Sequence, residues 1–111
     1  MKIGELCKAL NAEVQAPGDT EREISKITAG DLLSFVMGTA PEGAAWVTIQ
    51  AHLDVAAVAV LKDLPIIIIA AGRKAPEDLV ERCITENICV ASVSDTLYAA
   101  CCKLGALGLG E

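Results

Sequence analysis

Aromatic side chains are nearly missing: Phe35, Trp46 and Tyr98 are the only three among 111 residues. Histidine occurs once, as His52. Positive charge is scarce too, with 9 Lys and Arg against 15 Asp and Glu and a formal net charge of −6. A sequence-independent nucleic-acid binder draws its affinity from neutralised phosphates and needs the opposite sign. That class is excluded, and no nucleic-acid partner is expected. Met1 to Glu5 lacks the run of about 7–15 apolar residues that a signal peptide needs. The apolar stretch Val55 to Leu61 stops at Lys62-Asp63, far short of the roughly 20 residues that cross a bilayer. A cytoplasmic location with no membrane contact is the expectation.

Several chemical signatures are absent as well. No Gly-rich phosphate loop ending in Gly-Lys-Ser/Thr occurs, and no Gly-x-Gly-x-x-Gly follows a strand. Neither Gly-x-Ser-x-Gly nor His-Glu-x-x-His is present. The five cysteines, Cys7, Cys83, Cys89, Cys101 and Cys102, form no Cys-x-x-Cys. Their odd number does not suit a secreted disulfide scaffold. Neighbouring helical residues point about 100° apart, so Cys101 and Cys102 are poorly placed to share a metal or serve as a redox pair. Buried structural thiols are expected, with no metal and no cofactor.

What is present is apolar and regularly spaced. Hydrophobic residues make up 53% of the chain, with 4 prolines and no polar tract, which argues against disorder. A chain of this length makes one domain, residues 1–111, and buries roughly two thirds of its unfolded surface. Ile3, Leu6, Cys7 and Leu10 form a helical stripe. A short apolar stretch, Ala12 to Ala16, precedes the turn Pro17-Gly18-Asp19. Glu21 to Lys26 alternates weakly and opens a strand ending near Thr28. Leu32, Leu33, Val36 and Met37 make a helical stripe stopped by Gly38 and Pro41. Ala45 to Ile49 reads as a strand, and His52 to Lys62 as a helix with Leu53, Ala57, Val60 and Leu61 on its shared face. Ile66 to Ile69 has the pattern of a strand covered on both sides. Pro76, Glu77 and Asp78 open a helix that buries Leu79, Val80, Cys83 and Ile84 and ends at Asn87. Ile88 to Val93 is the next strand. Ser94 then caps a last helix with Leu97, Cys101 and Leu104 inward and Gly105 at its stop. This alternation predicts an α/β fold, a mostly parallel sheet of about four to five strands with helices on both faces.

In such a sheet ligands bind beyond the carboxyl ends of the strands, where loops present helix N–H groups and the positive dipole end. Gly30-Asp31, Gln50-Ala51-His52, Gly72-Arg73-Lys74 and Ser92 to Asp95 all belong to that edge. An anionic or nucleotide-like small molecule suits it. Each residue also has a purely structural reading. Asp31 and Ser94 suit helix N-caps, and His52 suits a local hydrogen bond. Gly72 can simply end a strand, and Arg73-Lys74 can be a solvated turn. Ser94, His52 and Asp31 make a nucleophile set only on paper, and one imidazole is thin support for acid–base catalysis.

Ala29-Gly30-Asp31-Leu32-Leu33-Ser34 and Trp46-Val47-Thr48-Ile49-Gln50-Ala51-His52 are followed by an Ala/Val-rich helix, an isoleucine strand ending in Gly72, and Pro76-Glu77. In that order the chain resembles the stand-alone DRTGG domain over nearly its whole length. Similar domains form the N-terminal part of HPr kinase/phosphorylase, lie within some phosphotransacetylases and stand beside CBS domains. The resemblance implies the fold of the HPr kinase and Mur ligase N-terminal domains, and a regulatory role apart from any catalytic centre. It adds Thr48 to Gly30, Asp31, Gln50, His52, Gly72 and Ser94 as candidate ligand-binding residues. The literal Asp-Arg-Thr-Gly-Gly string is absent, since the isoleucine strand runs into Ala70-Ala71-Gly72. Phe35 stands where relatives often carry an acid, and Asp54 where Asn is frequent. The phosphate-cradling loop of the HPr kinase reaction has no counterpart, so serine kinase activity is not expected. The expectation is a non-catalytic module that senses a small anionic metabolite. The alternative is a homo-oligomeric interaction domain, a dimer, with no small ligand.

Overall fold

The computed structural model describes every residue from Met1 to Glu111. Ten elements follow in order: α1 (Ile3–Ala9), β1 (Glu13–Ala16), β2 (Ile27–Ala29), α2 (Leu33–Thr39), β3 (Ala45–Thr48), α3 (Asp54–Lys62), β4 (Ile66–Ile69), α4 (Glu77–Thr85), β5 (Cys89–Ser92) and α5 (Leu97–Ala106). The five strands form one sheet in the order β1-β5-β4-β3-β2. β2 to β5 are mutually parallel, and β1 joins β5 antiparallel. No helix is long and apolar enough to cross a membrane.

Each central strand is buried on both sides because each face is covered by helices. Trp46, Ile67, Ile69 and Val90 face a core shared with Val36 of α2, Val55 and Ala59 of α3, and Leu79 and Cys83 of α4. Ala45, Val47, Ile66, Ile68 and Ala91 face the opposite core, with Ile3 and Leu6 of α1 and Ala100 and Leu104 of α5. The expected mostly parallel sheet, layered on both faces, is therefore what forms.

Local expectations fail where pattern alone cannot choose. Glu13–Ala16 is a strand with a register shift between Val14 and Ala16, not merely an apolar approach to a turn. Glu21 to Lys26 contributes two isolated bridges, Lys2 to Glu23 and Lys26 to Gly110, and the strand itself is only Ile27–Ala29. α3 begins at Asp54, and its buried residues are Val55, Ala56, Val58 and Ala59, while Leu53, Ala57, Val60 and Leu61 are exposed. That helix is apolar nearly all round, so no stripe stands out. The face with small Ala and Val side chains packs on the sheet because it allows a closer approach. Ile84 of α4 is exposed, and Leu97 and Cys101 of α5 are only half-buried. Gly38 and Gly105 lie inside helices rather than beyond them. α5 is capped by Thr96, whose hydroxyl accepts from the Ala99 amide at 3.1 Å, not by Ser94.

Two details fix the lower edge of the sheet. Asp63 closes α3 in the left-handed region (φ 51°) and receives both guanidinium nitrogens of Arg22, at 2.8 and 3.2 Å. Gly18 (φ 58°) presses against Cys89, where a Cβ would stand 2.9 Å from the Cys89 Cα. No other residue fits that approach.

Candidate functional site

β2, β3 and β4 run side by side, with Ala29 beside Val47 and Thr48 beside Ile69. Their loops therefore leave from one edge. Gly30-Asp31 is held there on all sides. The Gly30 amide donates to the Val47 carbonyl at 3.1 Å, and the Trp46 indole N–H donates to the Gly30 carbonyl at 3.0 Å. The Asp31 carboxylate turns back over the end of β3, where Oδ1 accepts the Thr48 hydroxyl and the Ile49 amide, each at 2.8 Å. Thr48 is fully buried, and its Oγ1 also accepts the Gln50 amide at 3.1 Å. Gln50 donates Nε2 to the Asp31 carbonyl at 3.0 Å. Its Oε1 is thereby left as an acceptor, 3.0 Å from His52 Nε2. His52 must donate from Nε2, so in the neutral ring Nδ1 is the acceptor.

This network brings together Gly30, Asp31, Thr48, Gln50 and His52. It also overturns the N-cap reading of Asp31, because Leu32 occupies the cap of α2 and no side chain caps it. His52 sits in the turn before α3, where its carbonyl accepts the Val55 amide at 3.0 Å. Asp31 Oδ2 and His52 Nδ1 take no hydrogen bond from the protein.

Gly72 and Ser94 lie elsewhere on the edge. β4 leads to α4 on one face of the sheet and β5 to α5 on the other, so their loops part between the two strands. A cavity of about 320 Å³ opens there, lined by Gly72, Lys74, Ser92, Ser94, Glu13 and Asn11, among others. Two backbone bonds still tie these loops together at their start: the Ala71 amide donates to the Asp95 carbonyl at 2.6 Å and the Gly72 amide to the Val93 carbonyl at 2.9 Å. Ala71 and Gly72 both adopt positive φ (62° and 70°) to make this turn. No hydrogen bond links Ser94 to His52 or Asp31, so the paper nucleophile set is not assembled.

Arg73 joins the two halves. Its Nη1 donates to the Ile49 carbonyl at 2.7 Å, reaching from the β4–α4 loop to the β3–α3 loop. The other cations of the edge are neutralised: Lys74 pairs with Glu13 at 2.9 Å and Lys103 with Asp95 at 3.0 Å. Arg73 has no acidic partner, and its remaining guanidinium donors are free. It is therefore more than a solvated turn. Gln15 gave no signal in the sequence, yet it organises the same loop. Its Oε1 accepts the Ala75 amide at 3.0 Å and the Ser92 hydroxyl at 2.8 Å, and its Nε2 donates to the Ala75 carbonyl at 3.1 Å. A glutamine inside a short β1 stretch carries no local motif. Only the antiparallel pairing of β1 with β5 brings it there.

No family model and no curated protein sequence matches the chain. Among solved structures it is similar to the CBS and DRTGG domains of the regulatory region of Clostridium perfringens pyrophosphatase, complexed with the activator diadenosine tetraphosphate. The TM-score is 0.73 at 13% sequence identity. The two share a fold. The match covers 93% of this chain and 45% of that one, so this chain corresponds to less than half of the regulatory region.

Proposed function

We propose that this chain is a non-catalytic, cytoplasmic regulatory module of the DRTGG type that binds a small anionic, nucleotide-like metabolite at the carboxyl edge of its sheet. The observation that carries the reading is Arg73. It is the one cation of that edge without an acid, and it stands against the Ile49 carbonyl beside the Asp31–Gln50–His52 network. Free guanidinium donors suit a phosphate or carboxylate. Asp31 Oδ2 and His52 Nδ1 suit donors such as sugar hydroxyls. Gly72 and Ser94 border the adjoining cavity, which can extend the site. A regulatory region crystallised with a nucleotide activator and sharing the fold supports the same class of ligand.

Isothermal titration with AMP, ATP, diadenosine tetraphosphate, a UDP-sugar and acetyl phosphate tests it. One class of compound binds, and Arg73→Ala weakens that compound about tenfold or more, the effect of losing a charge-assisted hydrogen bond. Silence across the panel, or affinity unchanged in Arg73→Ala, overturns the proposal.

Exposed apolar side chains favour a second reading, self-association. Leu32 and Phe35 of the α2 region are 68% and 63% exposed, and Leu61 of α3 is 70% exposed. α2 and α3 pack side by side. Light scattering at high concentration decides: a dimer that Phe35→Asp dissolves supports this reading, and a monomer removes it.

A further inference from the structure

Cys7 and Cys89 are 82 positions apart in sequence, and their sulfurs lie 3.8 Å from one another between α1 and β5. Both line a cavity of about 380 Å³ open to solvent, together with Ile3, Lys8, Val14 and Thr20. We propose that this dithiol is an oxidation site, at which a hydroperoxide entering the cavity converts the pair to a disulfide linking α1 to β5. The other cysteines offer no such pairing: Cys83 is buried on the opposite side of the sheet, and Cys102 is exposed.

The roles of the two thiols are unequal. Either sulfur can donate in this contact, but burial falls unequally: Cys7 keeps 7% of its surface and Cys89 none. The contact with Cys7, together with burial, pushes the Cys89 thiol up. Cys7, the sulfur that a peroxide reaches from the cavity, is thus the attacking one and Cys89 the resolving one. The Cys7 thiolate attacks one peroxide oxygen; the S–O bond forms, the O–O bond breaks, and the departing hydroxide takes up a proton as water. The resulting sulfenic acid is attacked by Cys89. The S–S bond forms, the S–O bond breaks, and the oxygen leaves as a second water with the Cys89 proton. Two thiols and one hydrogen peroxide give one disulfide and two waters, each sulfur losing one electron.

The geometry allows the last step. The sulfurs must close from 3.8 Å to about 2.0 Å. Cys89 is wedged against Gly18, so α1 moves. α1 is only 7 residues long, and the cavity beside it leaves room.

The reduced full-length chain, treated with hydrogen peroxide, alkylated and mapped by mass spectrometry, tests the site. A Cys7–Cys89 cross-linked peptide that dithiothreitol reverses, with Cys83 still alkylatable after unfolding, is the expected result. In Cys89→Ser the expected product is a sulfenic acid trapped by dimedone at Cys7. Cys7 and Cys89 remaining reduced while Cys102 oxidises overturns the proposal. Should Cys89→Ser not fold, alkylation rates of the unmodified chain decide. Cys7 reacting about tenfold or more faster than Cys83 supports the site, and equal rates contradict it.

Discussion

The Asp31 carboxylate accepts the Thr48 hydroxyl at 2.8 Å, tying the loop after β2 to the buried end of β3. The pair is a structural bond that shapes a rim, since Thr48 has no exposed surface. Whatever binds at this edge meets an Asp31 whose position is already set.

Asp31→Ala strands the Thr48 hydroxyl and the Ile49 amide, and should cost about 1–3 kcal/mol by urea denaturation. Asp31→Asn keeps an acceptor oxygen and should cost less. Thr48→Val combined with Asp31→Ala should show a coupling of about 0.5–3 kcal/mol. Strict additivity would mean that the bond contributes nothing.

Gly18→Ala places a Cβ against the Cys89 backbone in a left-handed conformation. Overpacking and backbone strain together predict a loss of roughly 2–4 kcal/mol. A loss under about 0.5 kcal/mol, the range of an ordinary surface substitution, would show that the turn rearranges freely.

The Arg22–Asp63 pair has a pH signature. The Arg22 hydrogen bond holds the Asp63 carboxyl below its ordinary 3.8. Its folded pKa is depressed, so the added stability is present above the unfolded value and disappears as pH falls through the folded one. Both side chains are partly solvent-exposed, which limits the contribution to about 0.5–1 kcal/mol. Asp63→Asn should be less stable than the parent by that amount near neutral pH. The difference should fade as the medium is acidified below the ordinary carboxylate range. An Asp63→Asn deficit that does not change with pH would exclude the ion pair as its source.

The sheet was legible because its central strands lie in short apolar runs bounded by Gly, Pro and polar residues. Ile66–Ile69 forms β4 over the whole isoleucine run. The helix before it was not legible in the same way. In α3 both candidate faces are apolar, and only the height of the layer above the sheet selects Val55 and Ala59 over Leu61. Accordingly, Leu61→Glu should change stability by less than about 0.5 kcal/mol, whereas Val55→Glu should abolish cooperative unfolding by burying an unpaired charge. The reverse pattern in thermal melts would return the helix to the face that its sequence suggests.

The site followed the same division. Gly30, Asp31, Gln50 and His52 could be assigned to one edge from strand order alone. Their bonding could not, because Asp31 reaches across to β3 rather than forward to its own helix. Gly72 and Ser94 belong to a neighbouring cavity because α4 and α5 depart to opposite faces, a choice no local pattern records. The Cys7–Cys89 contact is invisible in sequence for the same reason, since β5 meets α1 only through the finished sheet.

Backbone amide chemical-shift mapping by NMR, with AMP, ATP and diadenosine tetraphosphate titrated in turn, tests the central claim most directly. Saturable shifts gathered at Gly30, Asp31, Gln50, His52 and Arg73, and lost in Arg73→Ala, are the predicted result. No shifts with any of the three, or shifts confined to the outer faces of α2 and α3, would contradict it.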